Sequence, residues 1–351
     1  MSLEEMLKSA VEQAASDIFL VVGQPISFKL NGVIEKQTQD SIKPIDMDNI
    51  VDQMYNMAKR DINNRKHGDD DFSISVPGIG RFRVNVYKQR GSWSAVLRVV
   101  TFDLPDVSQM GIPQGILELG QKHKGLILVT GAAGSGKSTT LAYIIDRINK
   151  TRNSHILTLE DPIEYLHRHG KSIVSQREIG IDSNNYSRAL KAAMREAPDV
   201  ILIGEMRDLE TIETAMTAAE TGHLVLSTLH TVGAANTINR IVDVFPPEQQ
   251  QQIRIQLAMV LQSVVSQQLL PTVDGDLVPA FEVLHANNAI RNLIRDGKIH
   301  QINSTIATSA ADGMLSMDKS IMELYRSGKI TEQVAFSHCI NLEAMERSLR
   351  R

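Results

Sequence analysis

The run Gly131-Ala132-Ala133-Gly134-Ser135-Gly136-Lys137-Ser138 has the residue types and spacing of a loop that closes around phosphate. Its glycines leave backbone amides unobstructed, and Lys137 stands where a helix begins, able to reach the β and γ phosphates of a nucleoside triphosphate. Ser138 supplies a hydroxyl for Mg²⁺. An apolar strand, Gly125 to Thr130, leads into the loop, and Ser138-Thr139-Thr140-Leu141 opens a helix after it. Gly131, Gly134, Ser135, Gly136, Lys137, Ser138, Thr139 and Thr140 are therefore the expected nucleotide contacts, with ATP and Mg²⁺ as the expected ligands.

Hydrolysis also needs an acid near the γ phosphate. Val200-Ile201-Leu202-Ile203-Gly204-Glu205 is an apolar strand ending in a carboxylate, although Gly204 stands where an aspartate commonly holds the metal. Glu205 is the candidate to orient or deprotonate the attacking water, or to hold the water shell of the metal. A second strand, Ile156 to Leu159, delivers Glu160, Asp161 and Glu164 around Pro162 and is expected beside the P-loop strand. Either glutamate there could share the water-activating work, while Asp161 fits a helix cap equally well. Two histidines bracket a further strand, His223 before it and His230 after it. His230 falls on the phosphate-bearing edge as a γ-phosphate sensor, and His223 is a weaker candidate for the same role.

Those side chains must be held by something. From residue 114 onward, short apolar strands at 125–130, 155–159, 200–203 and 224–229 alternate with helical stretches. Unbroken apolar strands of this kind belong to a parallel sheet covered on both faces, which predicts an α/β, RecA-like P-loop ATPase core over residues 114–270. From about Gln249 onward the pattern is mostly helical, giving an expected helical C-terminal subdomain over 271–351. Ahead of residue 103 the chain predicts a smaller α+β domain, 1–102. Its elements are a helix from Leu3 to Ala15, a hairpin of Ile18–Val22 with Ile26–Leu30, a helix from Met47 to Arg60, and three alternating strands at 72–76, 81–89 and 92–100. Residues 103–113, with two prolines and a glycine, read as the linker.

With 351 residues, 42% hydrophobic and 22% charged, the chain has material for two packed domains and not the composition of a disordered one. A net charge of -4 without a basic cluster gives no reason to expect nucleic acid. The single cysteine, Cys339, excludes an internal disulfide and fits a reducing, cytoplasmic compartment. No signal peptide and no long apolar run is present, so any membrane role is expected to be peripheral.

Taken together, the P-loop, Glu160-Asp161-Pro162-Ile163-Glu164, the Gly204-Glu205 strand end and Thr221-Gly222-His223-Leu224-Val225 resemble the P-loop, Asp box, acidic motif and His box of the type II and type IV secretion ATPase superfamily. Ile203-Gly204-Glu205-Met206-Arg207-Asp208-Leu209-Glu210-Thr211 and Ala289-Ile290-Arg291-Asn292-Leu293-Ile294 narrow the resemblance to its PilT-type pilus retraction ATPases. The latter hexapeptide matches a motif associated in the family with retraction. By spacing alone, Ile290, Leu293 and Ile294 would face a core and Arg291 and Asn292 would point outward.

The resemblance implies a PAS-like N-terminal domain, a homo-hexamer with ATP bound between subunits, and an arginine-finger pair matching Arg83 and Arg98. Strand alternation puts Arg81 on the face of Arg83, and Arg240 is a weaker candidate for the same electrostatic role. It further implies docking at the inner face of the cytoplasmic membrane on a pilus platform protein, with other pilus motor ATPases as further possible partners. The expected function is ATP-driven pilus retraction. A pilus or pseudopilus assembly ATPase is the alternative, although such relatives generally carry further N-terminal domains and a cysteine-rich module. A nucleotide-gated scaffold and a DNA-translocating hexamer stand further off.

Overall fold

The computed structural model describes residues 2–100 and 104–349. Residues 101–103, where the small domain was expected to pass into the linker, lie outside the described residues, as do the ends of the chain. Two compact units form: Met1–Asp103 with Pro162–Leu166, and Leu104–Asp161 with His167–Arg351.

In the first unit, helix α1 (Leu3–Glu12) is started by a Ser2–Glu5 capping box and buries Leu3, Met6, Leu7 and Ala10, one helical face. Six strands follow the sheet order β3-β2-β1-β6-β5-β4: β1 (Asp17–Val21), β2 (Pro25–Leu30), β3 (Val33–Ser41), β4 (Asp69–Val76), β5 (Gly80–Gln89) and β6 (Ser92–Val100). Helix α2 (Pro44–Met57) adds Met47, Val51, Met54 and Tyr55 to the same core. Along β5, Phe82, Val84 and Val86 are buried, which turns Arg81 and Arg83 to the other face. Strand β3 was not expected. It is a mostly exposed edge strand whose Glu, Lys and Asp side chains blunt its free edge, so it carries no apolar alternation to read.

The second unit is built on one sheet with the order β13-β12-β7-β11-β10-β8-β9. Its strands are β7 (Gly125–Thr130), β8 (His155–Glu160), β9 (Ile173–Glu178), β10 (Val200–Ile203), β11 (Leu224–Leu229), β12 (Leu261–Pro271) and β13 (Leu277–His285). All neighbours pair in parallel except β12 with β13. Helices α3 (Gln114–Leu117), α4 (Lys137–Thr151), α5 (Tyr186–Ala193), α6 (Leu209–Glu220), α7 (Ala234–Asp243) and α8 (Pro247–Val260) cover it. Alternate residues of each strand go to opposite cores: Leu126, Leu128, Ile201 and Ile203 pack with α5 to α8, and Ile127, Val129, Val200 and Leu202 with α4. That is why these strands are apolar throughout.

Two expectations are corrected. The acid-bearing β8 does not lie beside the P-loop strand, because β11 and β10 stand between them. The crossover through α4 spans more than one strand position, and later strands fill the gap. Within the stretch after Gln249, two strands interrupt the helices expected there. Strands β12 and β13 extend the sheet, and helices take over only with α9 (Asn288–Arg295), α10 (Ile302–Thr308), α11 (Met317–Arg326), α12 (Glu332–His338) and α13 (Leu342–Leu349). Strand β12 hides its nature because, paired on both edges, it buries Ser263, Ser266 and Gln267 among its apolar residues.

Candidate nucleotide site

The loop after β7 is shaped by glycine. Gly131, Gly134 and Gly136 have φ of 144°, 75° and 85°, values that residues with a Cβ avoid. A Cβ on Gly131 would stand 2.2 Å from the Gln267 carbonyl oxygen and 2.6 Å from Ser135 Oγ. At Gly136 it would stand 2.9 Å from Gln267 Nε2. Strand β12 thus presses Gln267 against the loop, and only glycine fits between them. Helix α4 begins at Lys137, so its unpaired first-turn N–H groups and the positive end of its dipole face the loop. Lys137 Nζ donates to the carbonyls of Gly131 (3.0 Å) and Ala132 (2.8 Å), which keeps the ammonium inside the curl of the loop. Ser135 Oγ is buried and has no hydrogen-bond partner among the described residues. A backbone cradle, an enclosed cation and an orphaned hydroxyl fit a polyphosphate.

Ser138 and Thr139 are half-buried at the helix start, whereas Thr140 is fully buried. Its Oγ1 donates to Gln267 Oε1 at 2.7 Å, so this hydroxyl is committed to the sheet and not to the loop.

Three strand ends converge beside the loop. Gly131 N–H donates to Leu229 O at the end of β11 (3.3 Å), and His230 follows directly. Because β11 lies between β7 and β10, His230 stands between the P-loop strand and the strand of Glu205. Its Nε2 is 3.3 Å from Glu205 Oε2, while Arg207 Nε is 2.6 Å from Glu205 Oε1. The Glu205 side chain is only 16% exposed against 73% for Arg207, so a largely buried carboxylate is held at both oxygens by partners that reach in from solvent. On the next strand, Glu160 Oε1 accepts from Thr158 Oγ1 (2.6 Å) and Gln176 Nε2 (3.2 Å). Asp161 follows it and is exposed.

Glu164 goes elsewhere. It belongs to the first unit, where Pro162-Ile163-Glu164-Tyr165 and Arg83, Arg98, Val99 and Val100 line a cleft of about 300 Å³. Arg98 Nε donates to the buried Asp17 at 2.9 Å, and Asp17 also accepts from Ser16 Oγ. Arg81 lies on the same face with Nη1 bonded to Ser75 Oγ (2.9 Å).

Other expected residues lie apart. His223 precedes β11, at the opposite sheet edge from His230, with Nδ1 3.0 Å from Ala218 O at the end of α6. Arg240 is exposed near the far end of α7, roughly 10 Å along the axis from Gly233. On α9, Ile290 and Ile294 are buried, Leu293 is half-buried, and Ala289 and Asn292 are exposed. Arg291 does not point outward as its spacing suggested. Its Nη1 donates to the carbonyls of Ala258 and Met259, capping the C-terminus of α8, whose last carbonyls need donors.

Sequence reading missed Gln267, Arg207 and Tyr186. Only Arg207, two residues after Glu205, carried a signal. Gln267 and Tyr186 reach the site through strand order, which no local pattern records.

A phosphate-binding loop after a central strand of a parallel sheet, with a pinned carboxylate two strands away, defines a P-loop nucleoside triphosphatase. Residues 1–276 match the family model of type II/IV secretion system proteins, and the chain belongs to that family. It is 42% identical over 342 residues to the type IV pilus retraction ATPase PilT of Pseudomonas aeruginosa, spanning 95% of this chain and 97% of that one. It is 41% identical to a twitching motility protein of Neisseria gonorrhoeae, over 98% of this chain and 92% of the other. Among solved structures, the pilus retraction motor PilT with bound ADP superposes with a TM-score of 0.88 at 46% identity, covering 99% of both chains.

Proposed function

We propose that this chain is an ATP hydrolase that drives type IV pilus retraction. The observation that carries the proposal is the end-to-end likeness to a retraction motor with bound ADP, 99% of each chain, joined to a pinned acid beside a phosphate loop.

In this reading the second unit is a RecA-like core, and the strand order β2-β1-β6-β5-β4 of the first supports a PAS-like domain. The amides of residues 131–136 and Lys137 bind the β and γ phosphates of ATP. Ser138 would hold Mg²⁺, which neutralises phosphate charge when bound. Glu205 accepts the proton of a water that attacks the γ phosphorus, while the bond from that phosphorus to the β–γ bridging oxygen breaks and ADP leaves. His230, adjoining Glu205 just past the end of the intervening strand, bonds the γ phosphate and links its presence to the acid. Arg83 and Arg98 balance the charge of the transition state across the subunit boundary of a hexamer. Among the described residues no helix is long and apolar enough to cross a membrane, so contact with a platform protein at the cytoplasmic face would be by docking.

Deleting the gene and restoring it with wild-type or Lys137→Ala coding sequence tests the reading. Loss of retraction leaves cells with surplus pili that never shorten, and only the wild type should restore shortening. Cells without any pili would instead identify an assembly motor.

A further inference from the structure

Gly204 occupies the position where an acidic strand of this kind usually presents an aspartate. The space its side chain would take is filled. A Cβ built on Gly204 would stand 2.7 Å from Tyr186 Oη, 3.3 Å from the Leu159 carbonyl oxygen and 3.5 Å from the Cα of Glu160. Tyr186 opens α5, whose N-cap Asn185 accepts from Arg188 N–H, and α5 packs on β8 and β10, the two strands that end in Glu160 and Glu205. The ring is half-buried against the core of the second unit, and the hydroxyl lies in the field of the three acids at these strand ends. Burial first, and then the fields of Asp161, Glu205 and Glu160, drive its pKa far above the ordinary phenol value, so it remains a proton donor at every working pH. A neutral donor set among carboxylates is suited to hold one of them, or a water between them, in a fixed orientation.

From this juxtaposition we infer that Tyr186 is a positioning residue for ATP hydrolysis, its hydroxyl taking the side-chain place at Gly204 and orienting, through a water, the carboxylates around Glu205. The inference rests on Glu205 being the water-activating acid.

Tyr186→Phe keeps the ring and removes only the donor. In the purified full-length protein, kcat for ATP should fall roughly tenfold or more while KM stays within about twofold, since losing a donor that orients the acid acts on the transition state and not on phosphate binding. Gly204→Ala, whose methyl must displace the hydroxyl, should give a similar loss. It should cost much less when added to Tyr186→Phe, where the 2.7 Å clash with the hydroxyl is gone and only the Leu159 carbonyl, at 3.3 Å, still presses on the methyl. Thermal midpoints of the variants report folding separately. Wild-type kcat in Tyr186→Phe, or losses at the two sites that simply multiply, overturns the inference. Glu205→Gln is measured alongside: if it hydrolyses normally, the role of Glu205 fails instead, whatever Tyr186→Phe does.

Discussion

Arg83 and Arg98 stand directly opposite each other across the β5–β6 ladder, and among the described residues the buried Asp17 forms its ion pair with Arg98. Like charges in registered cross-strand positions destabilise a sheet by a few tenths to about 1 kcal/mol, so this pair is maintained against a cost. Arg83→Ala should raise the thermal midpoint slightly and lower ATPase activity at least tenfold, the signature of a charge kept for catalysis. Arg98→Ala should lose activity and stability together, because it strands the Asp17 carboxylate, a penalty of about 1–3 kcal/mol. Calorimetry and steady-state kinetics on the same samples separate the two outcomes.

The three glutamates are not equivalent in this structure. Among the described residues Glu205 is held by His230 and Arg207, both reaching in from solvent, whereas Glu160 Oε1 is occupied by Thr158 and Gln176 and Glu164 lies with the arginine cleft. Glu205→Gln should reduce kcat by roughly a hundredfold or more, as removal of an acid–base group does. Glu160→Gln keeps an acceptor for its two donors and should lose about tenfold or less. Equal losses at both positions would show that the acids share the proton transfer.

Thr140 and Gln267 bind the P-loop helix to the neighbouring strand through one buried hydrogen bond of 2.7 Å. Thr140→Val should destabilise the fold by about 1–3 kcal/mol by leaving the amide unsatisfied, and adding Gln267→Leu should recover part of that loss. KM for ATP should rise in Gln267→Leu, since the loop glycines pack on that residue. Urea unfolding midpoints for the two single variants and the double variant close the cycle.

Much of this was legible in sequence where chemistry is local. The P-loop sits on the strand and helix its motif demands, and apolar runs announced β7, β8, β10 and β11. What stayed hidden was set by strand order. β12 looks helical because its inward polar residues serve the P-loop and the loop after His230, where Ser266 Oγ accepts the Gly233 N–H. Glu160, Asp161 and Glu164 looked like one cluster in sequence. Yet the chain crosses from one unit to the other at Pro162, which sends Glu164 to the arginines and leaves Glu160 at the sheet.

The Glu160 carboxylate rests on a short chain of bonds, for Gln176 Oε1 accepts from the His167 backbone N–H at 2.8 Å. Burial lowers the His167 imidazole from its ordinary 6.5 to about 4, against a smaller opposing pull from Asp146. A depressed histidine favours the neutral fold: its contribution is complete above pH 6.5 and is lost as pH falls toward 4. Stability to urea should therefore fall on acidification through that window, and His167→Gln should flatten the fall. An unchanged slope in the variant would assign the acid sensitivity to carboxylates instead.

Arg291 links the hexapeptide on α9 to the nucleotide site by a traceable route. Its guanidinium caps the carbonyls of Ala258 and Met259, α8 ends at Val260, and β12 starts at Leu261 and carries Gln267 to the P-loop. A cation at a partly buried helix C-terminus contributes about 1–2 kcal/mol, and its delocalised fork lets one group serve two carbonyls. Arg291→Ala should cost that amount and raise KM for ATP, while Arg291→Lys, with a single compact charge, should recover only part of each. If Arg291→Ala leaves both stability and KM unchanged, the route through β12 carries no energy. The residue would then matter only through what the exposed Ala289 and Asn292 beside it contact.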